Sequence, residues 1–447
     1  MASETKAAAP NLQAHDEQSS TPPQAQQHPP PHGLNRDEHV EKIAHPVHSA
    51  LPPLTAGRSS DAAFDDTQRK KLNAILTACQ DQDVETLRAL ATSDAGLIDD
   101  HWRRAAWPLL LGSVTTGHGP TEPWQNLQRH RDEDQVSLDV NRSFVYYPKH
   151  ESESRLAKRK EELSDTIVSV LRRHAYLCYF QGYHDIVQVF LLVLGAEAAF
   201  PAVERLSVLH IRDFMLPTMT GALAHLSLLP AILDAADHEL YTHLSQTAPF
   251  YFALSATLTL YAHEIQEYGD IARLFDFLLA NEAVMSIYFF TIIICSRKKQ
   301  LLELEADEHD MLHSILSKLP SPLNLDDLIA KAAKLFHTHP PARLSGLAWY
   351  NISSNSVLKT TCSSARPMQQ TLQDGERFFH QQAGEIERQD IRSRQLRGAR
   401  RLALQYRRPA IYTAAAVTVA VLAVYGAKPS SSLRMVLEWG GRHVLHL

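Results

Sequence analysis

Two short stretches carry residue types suited to work on a phosphoryl group. In VSLDVNRSF, Val136 to Phe144, an aspartate and an arginine stand three apart, so Asp139 and Arg142 share one face of a helical turn. In YFQGYHDI, Tyr179 to Ile186, Gln181 and Gly182 interrupt a run of aromatic and aliphatic side chains. A carboxamide inside such an apolar frame is costly unless its hydrogen bonds are met, so Gln181 is expected to point outward. An arginine can neutralise charge developing on a transferring phosphoryl group, and a carboxamide can orient the attacking water. Neither role needs a shifted pKa. An aspartate placed like Asp139 can hold the guanidinium in one rotamer without capturing it fully.

Other chemistries fit the chain less well. HDMLH, His309 to His313, imitates a zinc-binding HExxH helix but has the shorter aspartate in place of glutamate. No further ligand follows at a characteristic spacing, so a solvated helix face is expected there. The chain has no GxxxxGK[ST] phosphate loop and is not expected to hydrolyse nucleotide by itself. Its four cysteines, Cys79, Cys178, Cys295 and Cys362, form no CxxC pair, which fits a reducing compartment. A net charge of −6 gives no reason to expect a nucleic-acid partner. The N-terminus lacks the basic-then-apolar order of a signal peptide, and the sequons at Asn141 and Asn351 are expected to stay unused.

The elements that must position these residues read as helices. Residues 1–65, rich in Pro, Gln, His and Ser, are expected to be disordered. Apolar residues then recur at helical spacing: Leu72, Ile75, Leu76 and Cys79; Leu163, Ile167, Val170 and Leu171; Leu258, Tyr261, Ala262 and Ile265. The expectation is one all-α domain over 66–352, followed by a polar linker and an Arg-rich juxtamembrane helix over 353–408. Residues 409–427, PAIYTAAAVTVAVLAVYGA, carry no charge, and their helical length of about 28 Å suits one bilayer core. Seven arginines lie between Arg392 and Arg408 with no acid, which predicts that this side is cytosolic. Residues 409–427 therefore read as a C-terminal transmembrane anchor, and 428–447 as a short tail. The apolar run within Met285 to Lys299 is too short to span and is expected to be a core helix.

These stretches resemble the TBC family of Rab GTPase-activating proteins. The family's I-x-x-D-x-x-R motif is matched by Val136, Asp139 and Arg142, with Val for Ile, and its Y-x-Q motif by Tyr179 and Gln181, followed by Gly182. Its R-x-x-x-W-x-x-L-L-G opening is matched by Arg103, Trp107, Leu110, Leu111 and Gly112, and its late helical motif by His263 to Ala280. The resemblance covers roughly residues 97 to 300. Two departures stand out: Ser143-Phe144 replaces the usual Thr-x-P, and His184 replaces the usual Asn, although Asp185 stays.

The resemblance implies a multi-helix TBC (Rab-GAP) domain that acts on a Rab-family small GTPase in its GTP-bound state. Arg142 would be an arginine finger and Gln181 a glutamine finger, both supplied in trans, with Asp139 orienting Arg142. Arg103, Trp107, Tyr179, Gly182 and Asp185 would support the site. No cofactor of the chain's own is implied, since GTP and Mg2+ come with the partner. The C-terminal anchor resembles that of the endoplasmic-reticulum subgroup, which implies a single-pass protein with a cytosolic N-terminal domain acting in early secretory (ER-to-Golgi) vesicle traffic. The alternative is a non-catalytic TBC scaffold that captures a GTP-loaded Rab or another protein at the membrane.

Overall fold

The computed structural model describes residues 66–115, 122–245, 250–305, 308–362 and 369–424. Every regular element among them is a helix. The head, 1–65, and the tail, 428–447, lie outside the described residues. Seven helices lead to the site: α1 (Asp66–Gln80), α2 (Val84–Thr92), α3 (Asp100–Leu111), α4 (Glu133–Asn141), α5 (Glu153–Arg173), α6 (Tyr183–Leu194) and α7 (Ala196–Arg205).

The periodic faces are the buried ones. Ile75 and Cys79 of α1 are buried, and so are Leu163, Ile167, Val170 and Leu171 of α5. The Met285–Ser296 helix is enclosed from Met285 to Ile294, packed against the helices Leu325–Thr338 and Leu229–Ala236, and is a core helix. One expected helix is absent. The run through Leu258, Tyr261, Ala262 and Ile265 has helical spacing, yet the helix stops at Leu258, and Leu260 and Tyr261 take φ of 47° and 67°. Tertiary packing overrides the local period here: Tyr261 is fully buried, donates to the Ser286 carbonyl at 2.7 Å, and sets its ring edge-on to Phe289. The turn so formed places Thr259 and His263 beside the start of α6.

The opening motif, Arg103 to Gly112, and the late helical motif, His263 to Ala280, meet at one buried carboxylate. Asp276, fully buried on the Tyr268–Ala280 helix, accepts from Arg103 Nε at 3.0 Å and from Arg103 Nη2 at 3.0 Å. Trp107 Nε1 donates to it at 2.8 Å and the Leu97 N–H at 3.0 Å. Arg103 also reaches Asp100 at 3.0 Å, within its own helix. Every charge in this cluster is met by donors or acceptors, the condition under which buried charge is tolerated. Arg103 and Trp107 therefore fix α3 to the Tyr268–Ala280 helix.

The packed body continues past residue 352. Val357 and Leu358 are fully buried. Asp213, itself fully buried, accepts from the Val357 N–H at 3.1 Å, from Ser356 Oγ, and from His225 Nε2 at 3.0 Å. Arg212 donates to the Asn355 carbonyl and to Thr360 Oγ1. The chain then enters a single helix, Leu372–Val424, of 53 residues. Its first turns dock through buried Phe379 and Gln382, and Gly375 lies so close to Val208 that a Cβ would meet Val208 Cγ1 at 2.4 Å. The juxtamembrane helix and the apolar segment expected as separate pieces are thus continuous through Val424, while 425–427 lie outside the described residues. Among the described residues no helix is long and apolar enough to cross a membrane.

Replacing Asp276 by Asn leaves the buried Arg103 guanidinium without its main counter-charge. The expected outcome is a loss of about 3–5 kcal/mol, read as a lower urea midpoint with an unchanged m-value. A loss below about 1 kcal/mol would show that the cluster does not hold α3 in place.

Candidate functional site

The site forms where the end of α4 meets the start of α6. α4 is short and is held from α5: Arg172 donates through Nε and Nη2 to the two Glu133 carboxylate oxygens, at 2.7 and 2.9 Å. Its one charged residue on the inner face is Asp139, whose side chain is 1% exposed. Three side-chain donors converge on that carboxylate. Arg142 Nη2 reaches Oδ1 at 2.7 Å, Gln135 Nε2 reaches Oδ1 at 3.0 Å, and the Tyr179 hydroxyl reaches Oδ2 at 3.0 Å. Arg142 caps the end of α4 and keeps its side chain 66% exposed. Its guanidinium is therefore held by one charge-assisted bond through Nη2 and by a longer bond from Nε to the Leu138 carbonyl at 3.4 Å, with Nη1 turned to solvent-exposed surface. Burial beside Asp139 raises the Tyr179 phenol well above its ordinary range, so it acts as a neutral donor.

Tyr179 also ties in the second stretch. Its backbone N–H donates to Asp132 Oδ2 at 2.9 Å, and the preceding Cys178 N–H donates to the Met215 carbonyl at 2.8 Å. The chain then turns at Gly182 with φ of 100°, where a Cβ would come within 2.5 Å of Thr259 Cγ2. Only glycine fits both the conformation and the close approach. The turn sends Tyr183 into the core and leaves Gln181 exposed. Its carboxamide makes no hydrogen bond to any described residue.

Arg142 and Gln181 line the same cleft of about 480 Å³. The far wall is the turn that carries Leu258, Thr259 and His263, and the loop after Arg142 closes one side. That loop is pinned by Gln188, a buried carboxamide whose Oε1 accepts the Phe144 N–H at 2.8 Å while Phe144 takes φ of 62°. Leu138, Val145 and Tyr146 lie exposed around Arg142, an apolar rim beside a cation. Asp185 faces the cleft and accepts from His263 Nδ1 at 2.9 Å, a bond that raises the His263 pKa. Burial lowers the pKa of His184, which lies between the two carboxylates of Asp139 and Asp185.

A protein-family model described as the Rab-GTPase-TBC domain matches residues 100–302. The chain is 38% identical to TBC1 domain family member 20 of Bos taurus over 299 residues, which is 65% of this chain and 74% of that protein. It is 38% identical to the Homo sapiens protein of the same name over 293 residues, 65% of this chain and 72% of that one. The chain belongs to the Rab-GTPase-TBC domain family. A further relative is the GTPase-activating protein gyp10 of Schizosaccharomyces pombe, 33% identical over 293 residues, 65% of this chain and 78% of that one.

Within the TBC domain the residues singled out from sequence fall into two groups. Arg142, Gln181, Gly182, Asp139 and Asp185 line the cleft, and Tyr179 binds Asp139 from behind it. Arg103 and Trp107 do not line it; they serve the Asp276 cluster in the core. Sequence reasoning missed Gln135 and Gln188, and it included Asp276 and His263 only as part of the late helical motif, with no role given to either. For Gln188 a signal existed: it is the one carboxamide in the apolar run IVQVFLLVL, four residues after His184 and hence on the same face of the TBC domain's α6.

Proposed function

We propose that this chain accelerates GTP hydrolysis by a Rab-family GTPase in its GTP-bound state, supplying Arg142 and Gln181 in trans. The observation that carries the reading is that both side chains open onto one cleft in complementary states. Arg142 is held through Nη2 by Asp139 and through Nε by the Leu138 carbonyl with its side chain largely exposed, and the Gln181 carboxamide has no hydrogen-bond partner among the described residues. A cation so placed can neutralise the charge that develops on the γ-phosphoryl oxygens, and a free carboxamide can accept from and donate to the attacking water. Neither group must reorganise when charge develops, which is what lowers a barrier rather than only tightening binding. GTP and Mg2+ belong to the partner, and the chain needs no cofactor of its own for this role. Asp139 sets the Arg142 rotamer. Tyr179, Gly182 and Asp185 shape the cleft, and the exposed apolar rim of Leu138, Val145 and Tyr146 gives the partner a surface to bury. The name of the fission-yeast relative, a GTPase-activating protein, agrees with this role.

We further propose that the domain is held at a membrane. Ile411, Tyr412, Val417, Val419 and Val421 are exposed at the far end of the Leu372–Val424 helix, a run of apolar surface that water does not favour. We assign residues 409–427 to a transmembrane anchor with the TBC domain on the cytosolic side, in the endoplasmic reticulum, serving ER-to-Golgi vesicle traffic. The full chain is expected in the membrane fraction after alkaline extraction, and a chain ending at residue 408 in the soluble fraction. Release of both would refute the anchor.

The activity is tested by hydrolysis of GTP across a panel of purified Rab proteins, with the full chain, Arg142→Ala and Gln181→Ala. One or two Rab proteins are expected to accelerate by about 10³–10⁵, and each substitution to remove nearly all of it. Acceleration that survives Arg142→Ala would overturn the catalytic assignment. GTP-dependent binding without acceleration would make the chain a scaffold.

A further inference from the structure

His184 is buried in the first turn of α6, and the donors and acceptors around it determine where its proton sits. Its Nδ1 is 3.1 Å from the Tyr179 hydroxyl oxygen, and that hydroxyl is 3.0 Å from Asp139 Oδ2. A phenol has one proton and can donate to only one of these neighbours. No other described donor bonds Asp139 Oδ2, and His184 Nδ1 is 3.9 Å from it. A carboxylate oxygen this deeply buried pays heavily for losing its only donor, so the phenol proton belongs on Asp139. The Tyr179 oxygen is then an acceptor, and the 3.1 Å contact is a hydrogen bond only if Nδ1 carries a proton.

We propose that His184 is a positioning residue for the arginine: as the Nδ1–H donor it fixes the Tyr179 hydroxyl on Asp139 Oδ2 and so confines Arg142 to Oδ1, which it shares with Gln135. The inference rests on the role given to Arg142 under the proposed function. The other groups facing the ring are consistent with it. Nε2 lies 3.4 Å from Asp185 Oδ1, and the second Asp185 oxygen is taken by His263 Nδ1 at 2.9 Å. Protonation of Nε2 would add an ion pair to Asp185 and leave the Nδ1–H in place, so the relay from His184 through Tyr179 to Asp139 holds in both charge states. Burial keeps the ring mostly neutral at neutral pH.

What the relay controls is how much of the Arg142 charge stays available. With Oδ2 occupied, Asp139 meets the guanidinium through Oδ1 alone, at 2.7 Å from Nη2. If the Tyr179 proton turned to His184, Oδ2 would be bare beside a guanidinium that can bind a carboxylate through two parallel bonds. Arg142 would then be drawn onto Asp139 and away from an incoming phosphate. The loss would appear in the chemical step, because the apolar rim that docks the partner is untouched.

Asparagine carries an amide donor where His184 carries Nδ1–H and has no second ring nitrogen, whereas leucine fills the space without a donor. With the Rab protein that the full wild-type chain accelerates most, His184→Leu is expected to lower kcat by about 10- to 100-fold with KM within about twofold. His184→Asn is expected to keep kcat within about threefold of wild type. Tyr179→Phe is expected to match His184→Leu, and the double variant to fall no further, as for two residues acting through one path. Equal losses in the Asn and Leu variants, a Leu variant as active as wild type, or additive effects with Tyr179→Phe would overturn the proposal. A second readout is independent of activity: ¹⁵N spectra of histidine-labelled full chain, with the His184 signal identified by its loss in His184→Asn. Protonation at Nδ1 supports the relay and protonation at Nε2 alone refutes it, even if no Rab protein responds and the GTPase-activating reading itself fails.

Discussion

A carboxylate taken out of water must be met by donors, and at Asp139 that requirement organises the site. The three side chains that satisfy it come from both functional stretches: Gln135 and Arg142 from around α4, Tyr179 from the approach to α6. Because one of them is the cation that faces the cleft, the cost of burying Asp139 is offset by the same bond that aims Arg142. The distance between the two stretches is then no longer free. Tyr179 lies two residues before Gln181, so tying its hydroxyl to Asp139 brings the arginine and the glutamine to one cleft.

The surrounding fold repeats this device at larger scale. Asp276 gathers Arg103, Trp107 and the Leu97 N–H into one buried cluster, and Asp213 does the same for His225, Ser356 and the Val357 N–H. Each joins segments far apart in the chain, and each depends on full satisfaction of a buried charge, since a half-satisfied one would be worse than an apolar contact. The mainly aliphatic core, with its aromatic rings, supplies most of the burial, while these carboxylates specify which helix faces which. A stable frame leaves the few exposed groups of the cleft free of structural duty, Gln181 above all.

The sequence made the local elements legible and the long-range ones opaque. Leu163, Ile167, Val170 and Leu171 announce a buried helical face because all the information lies within eight or nine residues. The outward position of Gln181 could be read the same way, from the cost of hiding a carboxamide in an apolar frame. Asp276 could not be paired in advance with Arg103: its place in the apolar run LFDFLLA marks it as a residue in need of a partner, but the partner lies 173 residues away and nothing local names it. Leu258 to Ile265 misled for the opposite reason: the helical period is present, but Tyr261 gains more by reaching Ser286 and Phe289 than the helix gains by continuing. At the C-terminal end, Val357 and Leu358 lie in a polar stretch whose composition conceals their burial against the core.

On the proposed function, Arg142 and Gln181 act together on charge that exists only during phosphoryl transfer. That joint action is tested most directly by the affinity of the full chain for GDP-loaded Rab proteins with and without aluminium fluoride, a planar mimic of the phosphoryl group in flight. For at least one Rab protein, aluminium fluoride should tighten binding by about 100-fold or more, and Arg142→Ala should erase the gain while leaving the weak GDP-state affinity unchanged. Equal affinity with and without the mimic, or a gain that persists in Arg142→Ala, would contradict the account.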